Sequence, residues 1–217
     1  MQRVGGQLGT NPAGVYQDDS GQRYYVKTLE SPAHARNERI AARLYQLAGA
    51  PTLTYVPTNA PEQIATEWVE LDKKCIAHLS ESERKQAQRW FGVHAWTANW
   101  DAAGFAGDNQ GMVNGNVLTL DVGGALEFRA QGDPKGKTFG ICVYELDLLR
   151  SDEGNPHAVT LFADMSAESI HKAVMVVLKI PDEQIRRVIV DNGGSRKLAE
   201  LMIARKADLA ESKYGVR

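Results

Sequence analysis

The sequence predicts an α+β chain of two lobes, a small β-rich lobe with one helix and a larger, mainly helical lobe. Three observations predict it. Short apolar alternations bounded by turn residues crowd residues 1–70. Helical periodicity takes over after about residue 80 and fills the last part of the chain. Between the two, N-G-N-V-L-T-L-D at 114–121 reads as a hairpin that delivers an aspartate directly onto two glycines. The seam is expected at 68–74, giving lobes of 1–70 and 71–217 within one domain.

V-Y-Q at 15–17, the turn D-D-S-G at 18–21 and Q-R-Y-Y-V-K-T-L at 22–29 predict a strand pair. Ser31 and Pro32 supply a cap and a first-turn proline for the lobe's helix. That helix carries Ile40, Leu44 and Leu47 on one face and stops at Gly49. T-L-T-Y-V at 52–56 and I-A-T-E-W-V at 64–69 read as further strands. Ser80 and Glu83 form a capping box at the head of one long helix. Ala87, Trp90, Phe91, Ala95 and Ala98 recur along it as far as about Trp100. Trp90, Trp96 and Trp100 are expected in the core. Asn114-Gly115 supplies a type I′ turn. Residues 125–160 read as irregular, with the lysines of G-D-P-K-G-K at 132–137 in solvent. Three helices, about 166–179, 182–191 and 195–212, close the chain.

The 217 residues suffice for a sizeable core or for two lobes sharing a cleft. A formal net charge of −2 argues against nucleic acid or an anionic membrane as the main partner. Cys75 and Cys142 lie far apart without metal-ligand spacing and read as free thiols. His94 and His171 have no partner at zinc-ligand spacing. The longest apolar run, 173–178, is too short to span a bilayer, and no cleaved leader is expected.

Asp101 directly follows the long helix, Asn109 precedes the hairpin, and Asp121 leaves its end. Helix, polar loop, hairpin and aspartate before glycine is the order of a phosphoryl-transfer segment. Such a segment must place a base near an acceptor hydroxyl and hold magnesium against a triphosphate. An amide oxygen and a carboxylate suit that hard cation, so Asn109 and Asp121 are its expected ligands. Asp101 is the expected base, with Asp108 as the alternative. Lys27, at the end of Y-Y-V-K, is placed to orient the α- and β-phosphates, and Glu38 to hold it. The segment 5–14 turns between strands and exposes backbone N–H groups, with Gly9, Thr10 and Asn11 as nucleotide contacts. Residues 64–70, through Glu67 and Val69, would back the adenine ring. Arg129, soon after the glycines, would order that loop or meet a substrate.

The run from V-G-G-Q-L-G-T-N through Y-V-K, N-E-R-I-A-A-R-L-Y, A-N-W-D and D-N to L-D-V-G-G-A-L-E-F-R-A-Q-G resembles a bacterial family. Its members are minimal, atypical protein-kinase-fold effectors, type III secreted by plant-associated bacteria, that phosphorylate and inactivate the host ninety-kilodalton heat-shock chaperone. The similarity spans residues 4–140. It implies a two-lobed minimal protein-kinase-like fold, ATP with Mg2+, Ser/Thr phosphorylation, the host chaperone as partner, and delivery to host cytoplasm without a cleaved signal. Apart from the resemblance, a cytoplasmic protein is expected. The chain departs from ordinary kinases in several places. It has no H-R-D, D-V-G stands for D-F-G, and no A-P-E follows. Asp101 and Asn109 stand three residues further apart than in D-x-x-x-x-N. A small-molecule phosphotransferase, a catalytically inactive binding module and an adenylyl transferase are the rival readings.

Overall fold

The computed structural model describes residues 1–215. The strands are β1 (Gln2–Gly5), β2 (Ala13–Gln17), β3 (Arg23–Thr28), β4 (Tyr55–Val56) and β5 (Gln63–Glu67), with α1 (Pro32–Leu47) inserted after β3. They form one antiparallel sheet in the order β1-β2-β3-β5-β4. The turn into β3 is set by Asp18, whose Oδ1 accepts from Ser20 N and Gln22 N at 3.0 Å each. Register decides which side chains share a face. Lys27 pairs with Ala13 and Ile64, and Tyr25 pairs with Val15 and Thr66. Cross-strand partners point the same way, so Val15, Tyr25, Lys27 and Tyr55 lie on one side of the sheet and Tyr24 and Glu67 on the other.

Helix α1 starts as its sequence requires. Ser31 caps it, Pro32 occupies the first turn, and Gly49 leaves it with φ +76°. Its buried face presents Ile40, Leu44 and Tyr45 to the core and Asn37 and Glu38 to the cleft. The strand predicted over 52–56 is shorter, because residues 51–52 are committed elsewhere. Thr119 N donates to Pro51 O at 3.0 Å and Thr52 Oγ1 to Thr119 O at 2.9 Å, which stitches the sheet's edge to the distant hairpin.

The helical part comprises α2 (Glu81–Gln88), α3 (Phe91–Trp96), α4 (Glu145–Ser151), α5 (Pro156–Phe162), α6 (Ala167–Leu178), α7 (Asp182–Asp191) and α8 (Arg196–Glu211). The hairpin β6 (Gln110–Val113) and β7 (Asn116–Thr119) turns through Asn114 and Gly115, both left-handed at φ +49° and +78°. The expected single helix from 81 to about 100 is two helices, broken at Arg89–Trp90. The cause is burial: α2 hides only Ala87, whereas every residue of α3 is buried. A surface helix and a core helix cannot share one straight axis here. Trp96 is fully buried and donates Nε1–H to Met202 O at 2.8 Å, while Trp90 and Trp100 are only partly buried.

The region 125–160 is less irregular than expected, since it holds α4 and α5. The second was legible: Asn155 caps it and Pro156 follows, the same signal as Ser31-Pro32. The first was not, because no side chain caps it. What fixes α4 is a buried pair, Glu145 Oε2 to Arg205 Nη2 at 2.8 Å, with Arg205 also donating to Ala95 O, Trp96 O and Gly140 O. The lysines of the 132–137 segment do not all reach solvent. Lys135 is buried, and its role is taken up below.

Helices α3 and α6 approach through Gly92, where a β-carbon would stand 2.3 Å from Ala173 O. Gly92→Ala should therefore push α6 away and destabilise the fold by about 3 kcal/mol, at the upper end of ordinary overpacking. Urea unfolding followed by far-UV circular dichroism should show the loss as a lower midpoint with an unchanged slope.

Candidate active site

The cleft between the sheet and the helical part is organised by Lys27. Its Nζ lies 2.9 Å from Glu38 Oε1 and 2.9 Å from Asp121 Oδ2, so one ammonium serves two carboxylates. Each comes from a different element: Lys27 from β3, Glu38 from the buried face of α1, Asp121 from just beyond β7. The Tyr55 hydroxyl donates to the same Glu38 oxygen at 2.8 Å, and Gly123 N donates to Asp121 Oδ1 at 2.8 Å. Gly123 has to be glycine, since a β-carbon there would sit 2.9 Å from Glu38 Oε2.

Electrostatics follow from this sharing. Burial alone would discharge Lys27, but the charges of Asp121 and Glu38 outweigh it and hold the ammonium protonated well above its ordinary range. Glu38 is only 3% exposed, and burial raises its carboxyl despite the pull of Lys27. For Asp121, 42% exposed, partial burial is outweighed by Lys27 and the Gly123 N–H, and its carboxyl is lowered. Asp121 therefore carries the more available negative charge.

Asp101 stands beside this group, its Cβ against Gly124, where a β-carbon would stand 3.1 Å away. Asn109 Nδ2 donates to Asp101 Oδ2 at 2.9 Å and to Asp101 O at 2.8 Å. Burial, then the charge of Asp121, push the Asp101 carboxyl up to about 6, against the Asn109 hydrogen bond. Asp108 is exposed and adds a smaller repulsion. The structure thus ties Asn109 directly to Asp101, and Asp121 to Lys27.

The Asp121 carboxylate, the Asp101 carboxylate it raises, and an Asn109 amide oxygen that has no hydrogen-bond donor among the described residues are oxygen donors of the kind a hard divalent cation takes. Asp121 and Asn109 are the residues that could hold Mg2+.

Two cavities line the Lys27 face of the sheet. One, of about 350 Å³, is bounded by Thr10, Asn11, Lys27, Glu38, Asp121 and Arg129. The other, of about 420 Å³, lies toward Val15, Arg23 and Trp68 under the 5–8 segment. Tyr25 stands between them on the same face, and its hydroxyl accepts from Leu8 N at 2.9 Å. Thr10 and Asn11 are brought to the charged group; Gly9 is not among the lining residues. Glu67 pairs with Tyr24 on the far face, so its side chain points away from both cavities, and Trp68 lines the second one. Val69, half-buried, lines neither cavity, though its N–H has no acceptor among the described residues.

Sequence reasoning missed three groups. Asn37 spans from α1 to the segment after Asp121, donating to Ala125 O at 2.9 Å and accepting from Glu127 N at 3.1 Å. His34 stacks on Phe128 at 4.1 Å and donates Nε2–H to Gly132 O at 2.8 Å. Tyr55 is the third. The only available signal for Asn37 was its place beside Glu38 in a helix interior, where asparagine is a poor choice without a partner. Arg129 lines the cleft and also stacks its guanidinium on Trp100 at 5.1 Å. His94 is buried against Tyr45 and Phe162, and burial lowers it to about 3, so it stays neutral. Among the described residues no cluster of three or more His, Cys, Asp or Glu is placed to hold a metal, and no helix is long and apolar enough to cross a membrane.

An antiparallel sheet with one helix over a helical part, enclosing a lysine, its glutamate and a hairpin-borne aspartate, is a two-lobed kinase-like fold. The chain superposes on the crystal structure of a Helicobacter pylori proinflammatory kinase, CtkA, with a TM-score of 0.55 and 12% identity, over 95% of this chain and 89% of that one. Weaker likenesses are an aminoglycoside phosphotransferase from Alicyclobacillus acidocaldarius (TM-score 0.43, 15% identity, 97% and 91% coverage) and the N-terminal 618-residue fragment of LepB from Legionella pneumophila (0.44, 11%, 94% and 46%). No protein-family model and no curated protein sequence matches the chain.

Removing the shared ammonium leaves two carboxylates facing each other, one of them buried. Lys27→Met should cost about 3 kcal/mol at pH 7 in chemical unfolding. The deficit should narrow as the pH falls, because Glu38, raised by burial, takes up a proton and stops needing a partner.

Proposed function

We propose that the chain is an ATP- and magnesium-dependent protein serine/threonine kinase. One observation supports this most directly: Lys27 held at 2.9 Å from both Glu38 and Asp121, beside an Asp101–Asn109 couple. A triphosphate presents its charge to Lys27 and to the backbone near Thr10 and Asn11, with the base toward Trp68 and Val15. Bound Mg2+ would neutralise charge on the transferred phosphoryl group. Glu38 would keep Lys27 aimed with Asp121 given over to the cation. Asp101, with its proton affinity raised to about 6, accepts the proton of the acceptor hydroxyl as that oxygen attacks the γ-phosphorus in line. The bond to the β-bridging oxygen breaks, and ADP leaves.

The acceptor and the setting rest on the sequence resemblance spanning residues 4–140. On that reading the protein is a secreted effector that phosphorylates the host ninety-kilodalton heat-shock chaperone.

The test uses purified protein with Mg2+ and ATP labelled at the α- or the γ-phosphate, with and without that purified chaperone. γ-Label should move to serine or threonine of the chaperone, and Asp121→Ala should abolish transfer. Movement of α-label would mean adenylyl transfer instead, and no movement of either would refute the kinase. Asp101→Asn should slow transfer by about 100-fold or more. In the wild type, kcat/KM should fall below about pH 6, as Asp101 becomes protonated, and this acid limb should vanish in Asp101→Asn.

A further inference from the structure

Lys135 lies outside the cleft, yet it touches both of the loops that build it. It is 3% exposed. Its Nζ donates to Ala98 O at 2.7 Å, Gly124 O at 2.7 Å and Leu126 O at 2.9 Å. An ammonium has three N–H groups and no acceptor, so its whole hydrogen-bonding capacity is used on backbone. The rings of Trp100 and Phe139 close around it at 5.0 and 5.9 Å. Burial lowers its pKa to about 7; Glu145 opposes this, and Arg205 and Arg129 add to it.

The three carbonyls are not an arbitrary set. Ala98 and Leu126 are left-handed, at φ +50° and +58°, although neither is glycine. Among the described residues the only other such position is Asn114, in the hairpin turn. A β-carbon disfavours that conformation, which persists only where surrounding contacts impose it. Ala98 leads into Asp101; Gly124 and Leu126 follow Asp121. Leu126 N also donates to Thr97 O at 2.7 Å, joining the two strained segments directly.

We propose that Lys135 is a positioning residue for phosphoryl transfer, gathering two strained loops onto one nitrogen and so setting the separation of Asp101 from Asp121. The kinetic consequence rests on the kinase reading; the structural one does not. Lys135 touches no reacting atom, so its loss should misplace the base relative to the phosphate without emptying the nucleotide site.

The test combines amide hydrogen exchange with turnover. In Lys135→Met, exchange at 97–101 and 122–127 should quicken by about tenfold or more, with α6 and α8 unchanged. Transfer of γ-labelled phosphate from Mg-ATP to the purified chaperone should fall about 100-fold in kcat, with KM for Mg-ATP within about twofold. Adding Ala98→Gly, which accepts φ +50° without strain, should restore part of kcat. Wild-type exchange in both segments, uniform loosening of the whole chain, or a rise in KM alone would overturn the proposal. Should Lys135→Met fail to fold, Lys135→Arg decides the matter. A guanidinium keeps the charge but cannot set three donors on one nitrogen, so the same two segments should loosen; full protection in that folded variant would overturn it. Exchange needs no nucleotide. A wild type that transfers no γ-label to the chaperone therefore counts against the kinase reading, while exchange still decides whether Lys135 holds the two loops.

Discussion

The whole cleft depends on one ammonium answering two carboxylates. Three carboxylates, those of Glu38, Asp121 and Asp101, gather where Lys27 is the cation in contact. Negative charge is left over, and it is concentrated on the side where Asp121 is exposed and Asp101 is raised. Such a site is tolerable to a folded chain only while Lys27 stays charged, and it gives a reason for a divalent cation to come. The unfavourable arrangement and the chemistry proposed for it have the same origin.

Helix α1 transmits that arrangement. Its first half supplies Glu38 to Lys27, Asn37 to the backbone at 125–127 and His34 to the carbonyl of Gly132. A tilt of this one helix would therefore disturb the lysine and the segment after Asp121 together. From below, Lys135 holds the other side of the same segment through Gly124 O and Leu126 O. The loop after Asp121 is thus gripped from both lobes, by side chains spending their hydrogen bonds on its backbone.

The sheet, α1, the hairpin and the three terminal helices were legible because each is written locally, by period, cap and turn. Ser31-Pro32, Ser80 with Glu83, and Asn114-Gly115 each carry their structural instruction within a few residues. Lys27, Glu38, Asp101 and Asp121 could be nominated because they fall at the ends or on the faces of those elements. The break at Trp90 was not legible, since it comes from α3 entering a core that the local pattern does not describe. Nor was Lys135: a lysine between glycines beside a proline looks solvated until Ala98, Gly124 and Leu126 are known to converge on it. The face taken by Glu67 was hidden for a smaller reason, since it depends on a register in which alternate residues change sides.

The bond between the Tyr25 hydroxyl and Leu8 N gives the segment 5–14 a resting posture of its own. Any anion that recruits the Leu8 amide must first evict a neutral phenol. The exchange offsets about 1 kcal/mol of what the anion gains, roughly a fivefold weakening. An anion held further along, at Thr10 and Asn11, would leave the phenol in place, so the two ends of the 5–14 segment can answer a ligand separately: one by giving up a bond it already has, the other at no such cost.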